Sequence, residues 1–196
     1  MKSNFDRFAG YFAALAGLAG FLYSIAFIVL KSNLLSALFL LLGGFFATAA
    51  ITAVYQRVRE TEPSFALWGL LFALTGAFGS AVHAGYDLSN ALHPAASLSP
   101  DLPSAIDPRG LATFGLAGVG LLVFSMLILR GHKFSSSFAW LGCLSAVLML
   151  LLYLGRLGIL DATNLAIVVP ALLEGFIINP LWYIWLGVIL LRRQSA

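Results

Sequence analysis

Between Ser80 and His93 the chain reads SAVHAGYDLSNALH, which places a histidine, a carboxylate and an amide at the end of an apolar run that begins at Phe65. His83, Asp87 and Asn90 follow at steps of four and three, so on a helix they share one face. Two further charges interrupt otherwise apolar stretches, Arg156 and Glu174. An ionisable group inside hydrocarbon is costly unless it faces a protein interior or a water-filled cavity. These residues are therefore the candidate site. Their chemistry is that of binding the polar head of a small amphipathic ligand, or of relaying protons. The plain alternative is structural. Arg156 and Glu174 form an ion pair that pins two helices, with the guanidinium suited to a buried carboxylate by its bidentate geometry. His83 then bonds to Asp87 on its own helix or to Glu174.

The elements that must position these groups are membrane helices. Of the 196 residues, 61% are hydrophobic and only 10% are charged, against roughly half and a quarter in soluble domains. The mean hydropathy is +0.97. Six runs approach the ~20 apolar residues a span requires: about 8–30, 34–55, 65–90, 110–129, 138–158 and 164–191. The first is too long for the core of a cleaved signal and reads as a retained span. The expected fold is an all-α membrane protein, one domain over residues 1–196, built as a six-transmembrane-helix bundle in the lipid bilayer.

Lys2, Arg7, Arg57, Arg59, Arg130, Lys133, Arg192 and Arg193 collect at one end of these spans, and Lys31, Arg109 and Arg156 at the other. Positive charge stays inside, so both termini are expected in the cytoplasm. The formal charge of +3 is thus an orientation signal and implies no nucleic-acid partner. Cys143 is the single cysteine, which excludes an internal disulfide.

Ser64-Phe65-Ala66-Leu67-Trp68-Gly69 opens the third span and Ser137-Phe138-Ala139-Trp140-Leu141-Gly142 opens the fifth; Phe8-Ala9-Gly10-Tyr11 opens the first in a weaker form. Eighteen residues after Phe65 and Phe138 stand His83 and Arg156. Three repeated helical hairpins are expected, and sites in membrane bundles often lie between repeats. Counting from the cytoplasmic ends at ~1.5 Å per residue puts His83, Arg156 and Glu174 at one depth, roughly 26–28 Å in. Glycines and alanines along the first, second and fourth spans allow close helix contact, within one bundle or across a homo-oligomer face. The loop 91–109 carries Pro94, Pro100, Pro103 and Pro108 and reads as a stiff cover over the polar end. Asn179-Pro180 predicts a kink near Ile177–Asn179, and Pro170 marks a second break or a fresh helical start. Trp182, Tyr183 and Trp185 before Arg192-Arg193 form an interfacial anchor.

Pro170-Ala171-Leu172-Leu173-Glu174, leading to Trp182-Tyr183-Ile184-Trp185-Leu186-Gly187, resembles the closing helix of an uncharacterised bacterial family of six-span membrane proteins, a domain of unknown function. Phe138-Ala139-Trp140-Leu141-Gly142 resembles that family's fifth-helix opening. Glu174 matches the family glutamate, while Leu173 stands where a glutamine is usual. The resemblance implies the six-span architecture and a bacterial inner (plasma) membrane, and no activity.

Other chemistries find less in the sequence. A bis-histidine haem needs two facing histidines, and only His83 lies within the spans, so no cofactor is expected. His83, Asp87, His93 and Glu174 could supply four zinc ligands, but no H-E-x-x-H spacing is present. Three functions are carried forward. The first is a protein that binds a small amphipathic or lipid-like ligand, as a sensor or minor transporter. The second is an accessory subunit bound to partner membrane subunits. The third is a membrane-intrinsic metal hydrolase.

Overall fold

The computed structural model describes residues 4–93, 107–159 and 161–192. Six helices are long and apolar enough to cross a membrane: α1 (Asn4–Val29), α2 (Asn33–Val58), α3 (Pro63–Leu92), α4 (Pro108–Gly131), α5 (Ser136–Gly158) and α6 (Leu165–Leu191). Each expected span is present and most are a turn longer, because the polar ends continue the helix into the interface. The starts follow ordinary capping chemistry. Ser32 accepts from Leu35 N–H at 3.4 Å, Ser135 from Phe138 N–H at 3.3 Å and Asn164 from Ala166 N–H at 2.9 Å. Pro63 opens α3, where a missing N–H costs nothing. Lys31 (φ 50°) and His132 (φ 53°) take left-handed backbone and stop α1 and α4.

The helices form a ring. Each packs on its neighbours in the chain, and α6 returns to lie against α1. Small residues make the joints. A Cβ at Gly76 would strike Ala117, one at Gly120 would strike the backbone of Ala73, and one at Gly44 would lie 2.6 Å from the Ala77 carbonyl. The α1–α6 joint uses Gly17 against the Pro180 carbonyl and Gly187 against that of Gly10, each 2.8 Å from a built Cβ. Volume is distributed inversely to a soluble protein. Alanine dominates the buried set, while bulky residues such as Val82 (68% exposed), Trp140 (64%) and Leu165 (74%) face outward, where lipid would cover them.

The interior has two halves. At the basic end a continuous core joins Ala9, Ala13, Val54, Val58, Phe124, Phe138, Trp182, Leu186 and Leu190. Phe138 stacks on Trp182 with ring centroids 5.2 Å apart. Between the helix ends, Arg57 pairs with Asp6 at 3.3 Å and Lys133 with Glu60 at 2.8 Å. Trp182 is thus a core residue, 2% exposed, and not part of an interfacial belt. The other half of the ring is hollow.

Pro170 lies inside α6, which starts cleanly at Leu165, so it marks no fresh start. The break falls lower, as a wide π-turn over Glu174–Ile178 immediately before Asn179-Pro180. The Asn179 N–H reaches back five residues to the Glu174 carbonyl. Widening carries the Phe176 carbonyl away from the proline ring that would otherwise crowd it.

These joints give a direct expectation. Gly120→Val should destabilise the bundle by about 2–3 kcal/mol through overpacking against α3. Gly85, which has nothing within 4 Å of a built Cβ, should accept alanine with a change within about 1 kcal/mol, toward stability. Thermal unfolding of the two variants in one detergent checks both.

Candidate functional site

The hollow half encloses a cavity of about 440 Å³ to which all six helices contribute. Its floor is Ile51, Ala73, Phe124 and Trp182, the upper surface of the packed core. It runs to the opposite end of the bundle, where Phe27, Arg156 and Ala162 line it. Most of the wall is alanine, glycine and aliphatic side chains. The polar exceptions are few: Tyr23, Ser24, Ser80, Thr113, Arg156, Glu174, Asn179 and Tyr183. Two of these are satisfied within their own helices, Ser24 on the Gly20 carbonyl at 3.2 Å and Ser80 on that of Gly76 at 3.0 Å.

Glu174 sits deep, 5% exposed, on the first residue of the π-turn. Ser145 Oγ donates to its Oε1 at 2.6 Å. Its Oε2 has no hydrogen-bond partner; the Asn179 amide stands beside the carboxyl without closing that gap. The expected ion pair with Arg156 is not formed. Arg156 lies at the outer end of α5, where its Nη1 donates to the Ile159 carbonyl at 3.2 Å. Ser145 is eleven residues earlier on the same helix, about 16 Å deeper. Counting residues failed because the helix ends are staggered. Phe138, near the start of α5, stacks on Trp182, nine residues before the end of α6. A common starting plane therefore misplaces Glu174 by about 12 Å.

His83 and Asp87 form a separate cluster on the outer side. His83 is 4% exposed. Its Nε2 is 3.3 Å from Asp87 Oδ2, and its Nδ1 shares a hydrogen bond of 3.4 Å with Thr113 Oγ1 on α4. Asp87 is also 3.7 Å from Arg109 Nη1, whose guanidinium lies 4.2 Å over the Tyr86 ring. Asp107 holds Arg109 through its side chain, with Nε at 2.7 Å, and caps α4 through Arg109 N–H at 2.7 Å. Thr113 is the one member of this group that also lines the cavity. Asn90 stands half-buried one turn beyond Asp87. The proline-rich cover falls mostly on 94–106, outside the described residues.

Sequence reasoning missed Ser145 and the Asp107–Arg109 pair. A serine three turns from Arg156 within an apolar run was a usable signal. So was the Asp-Pro-Arg at the start of a span, a cap followed by its own counter-ion. Two more buried polar atoms, Ser125 Oγ and Trp182 Nε1, lack partners, and both crowd the space beside Gly142.

No three His, Cys, Asp or Glu side chains gather as a metal site among the described residues. The zinc set proposed from sequence is divided, with Glu174 on Ser145 and His83 on Asp87 and Thr113. Fold and cavity together define a polytopic helical membrane protein with a hollow, mostly apolar interior. Comparison with protein families, characterised proteins and solved structures finds no match to the chain.

The outer cluster carries a pH expectation. Burial raises the proton affinity of Asp107, but hydrogen bonds from Arg109 and its charge outweigh that and hold the carboxyl below its ordinary 3.8. A lowered folded value means the pair stabilises fully above pH 3.8 and loses that contribution as pH falls through the lower folded value. Asp107→Asn should be less stable than the parent at pH 6, and the difference should narrow below the ordinary value. Unfolding midpoints across this range give the answer.

Proposed function

We propose that this chain binds a small amphipathic or lipid-like molecule inside its bundle, as a sensor or minor transporter. The setting is a bacterial plasma membrane with both termini cytoplasmic. The observation that carries the reading is the cavity. Ligand sites are concave, about 300–1,000 Å³, mainly apolar, and fixed by a few polar groups. A cavity of about 440 Å³ with Arg156 toward its outer end and Glu174 deep inside fits that description. The orientation rests on charge. The basic end of the ring is the packed end, so under the positive-inside rule the cavity belongs to the extracytoplasmic half.

The geometry refines where a ligand's polar parts would go. His83 and Asp87 are committed to each other and to α4, and they shape the wall through Thr113 rather than the floor. Arg156 and Glu174 stand about 16 Å apart along the helix axis, so one head group does not meet both. Apolar matter fits between them, against Phe39, Leu40, Leu121 and Met149.

Gly43 offers the test, because it lines the cavity and a Cβ there comes no closer than 3.6 Å to a neighbour. Gly43→Leu should fill the space and leave folding intact. Native mass spectrometry of gently purified protein should find a retained small molecule in the parent and none in the variant. An empty parent carrying other membrane subunits would replace the binding reading with an accessory role.

A further inference from the structure

We infer that the deep end of the cavity is a site for an apolar organic cation, an ammonium with a hydrocarbon body, whose positive head replaces the proton of the Glu174 carboxyl. The inference rests on the binding reading above and names the ligand's charge.

Two independent features point to it. The first is the carboxyl. Glu174 is 5% exposed and lines the cavity; Ser145 donates to its Oε1 and the Asn179 amide stands beside the carboxyl, while its buried Oε2 has no partner. No Lys, Arg or His among the described residues lies within ion-pair distance of it. An isolated charge is not tolerated in such surroundings, so the group is neutralised by a proton or by a cation. The second is the aromatic share of the cavity wall. Tyr23, Phe124, Trp182 and Tyr183 line the cavity that Glu174 also lines, and aromatic rings attract organic cations. A bare metal ion is a poorer fit. Calcium takes six to eight oxygen ligands and magnesium keeps several waters, while alanine and glycine walls supply none. An anionic head would leave an uncompensated charge in the same apolar surroundings, with no cationic side chain beside it.

The exchange balances. At a pH where the empty site keeps its proton, Glu174 is a neutral acid. When an ammonium enters, the O–H proton leaves to solvent and the carboxylate pairs with the cation, so the cavity's net charge is unchanged. Cation and proton compete, and affinity rises with pH until the acid is fully ionised in the empty protein. Other groups that could disturb this titration are few. On α1 and α6 they are Tyr23 and Tyr183, on α5 Arg156, and α2, α3 and α4 present no ionisable side chain to the cavity. His83 reaches the wall only through Thr113, and His83→Gln is the control for its contribution.

The full chain in lipid nanodiscs, with partition into empty nanodiscs subtracted, is titrated with three eight-carbon probes: octyltrimethylammonium, octanol and octanoate. At a pH where affinity is still rising steeply with pH, the cation should bind about tenfold more tightly than octanol, with octanoate weakest and about one proton released per cation bound. Glu174→Gln should reduce the cation to the affinity of octanol, leave octanol unchanged and abolish proton release. His83→Gln should retain both. Octanol or octanoate binding the parent as tightly as the cation, or cation binding without proton release, would overturn the inference while leaving the cavity a ligand site. If none of the three binds, the cavity reading itself falls, and this one with it. The parent's ranking of the probes decides the matter even if the glutamine variant does not fold.

Discussion

The ring depends on how closely its first and last helices approach. Gly17 and Gly187 bring α1 and α6 within 2.8 Å of backbone carbonyls as measured from a built Cβ, and Gly175 brings α6 onto the hydroxyl of Ser24. Lipid supplies no hydrophobic drive to bring helices together, so association must come from dispersion and backbone proximity, and only small residues permit that. The contact does more than close a bundle. It fixes α6 about its own axis at Gly175, and the neighbouring Glu174 is thereby held toward Ser145 and the cavity. A side chain whose polarity does not belong in the membrane is positioned by residues that have almost no side chain.

The division into a packed half and a hollow half follows from where the large side chains lie. Phe124, Phe138, Trp182, Leu186 and Leu190 fill the ring at its basic end. On the other side the wall includes Gly20, Gly43, Gly44, Gly76, Ala77 and Ala117, whose small side chains leave space between the helices. A cavity forfeits dispersion contacts, and the continuous core below it bears that loss. The floor at Trp182 and Phe124 is common to both halves, so the same aromatic residues cap the core and bound the cavity. Glu174 stands about two turns above this floor on α6.

Much of this was legible in the chain and some was not, for physical reasons that differ from residue to residue. The six spans were readable because hydropathy sums over twenty residues and tolerates local errors. His83 and Asp87 were readable as a pair because a step of four is fixed by helix geometry alone. Arg156 and Glu174 were misjudged because their relation depends on the offset between two helices, and nothing local to either helix encodes it. That offset comes from Phe138 choosing Trp182. Ser145 stands out as a hydroxyl in an apolar run, but its partner was not legible, for a related reason. A lone hydroxyl in an apolar run bonds its own backbone as readily as a distant carboxyl, as Ser24 and Ser80 do here. The kink was half readable, since Pro180 requires a disturbance but does not specify that it takes the form of a π-turn beginning at Glu174.

That coincidence of π-turn and carboxyl bears on how the site works. Wide turns store a small strain and are frequent at functional positions. Here the strain has a local cause in Pro180, so its presence alone implies nothing about function. What matters is the location. The turn spans Glu174–Ile178 and ends at Asn179, whose amide stands beside the carboxyl. The most polar segment of α6 is also its least regular, and it borders empty space instead of packed side chains. A helix that must accommodate both a protonated and an ion-paired glutamate gains from having its adjustable turn at that point. The rigid α1 joints at Gly17 and Gly187 lie toward the packed end, where no such adjustment is called for.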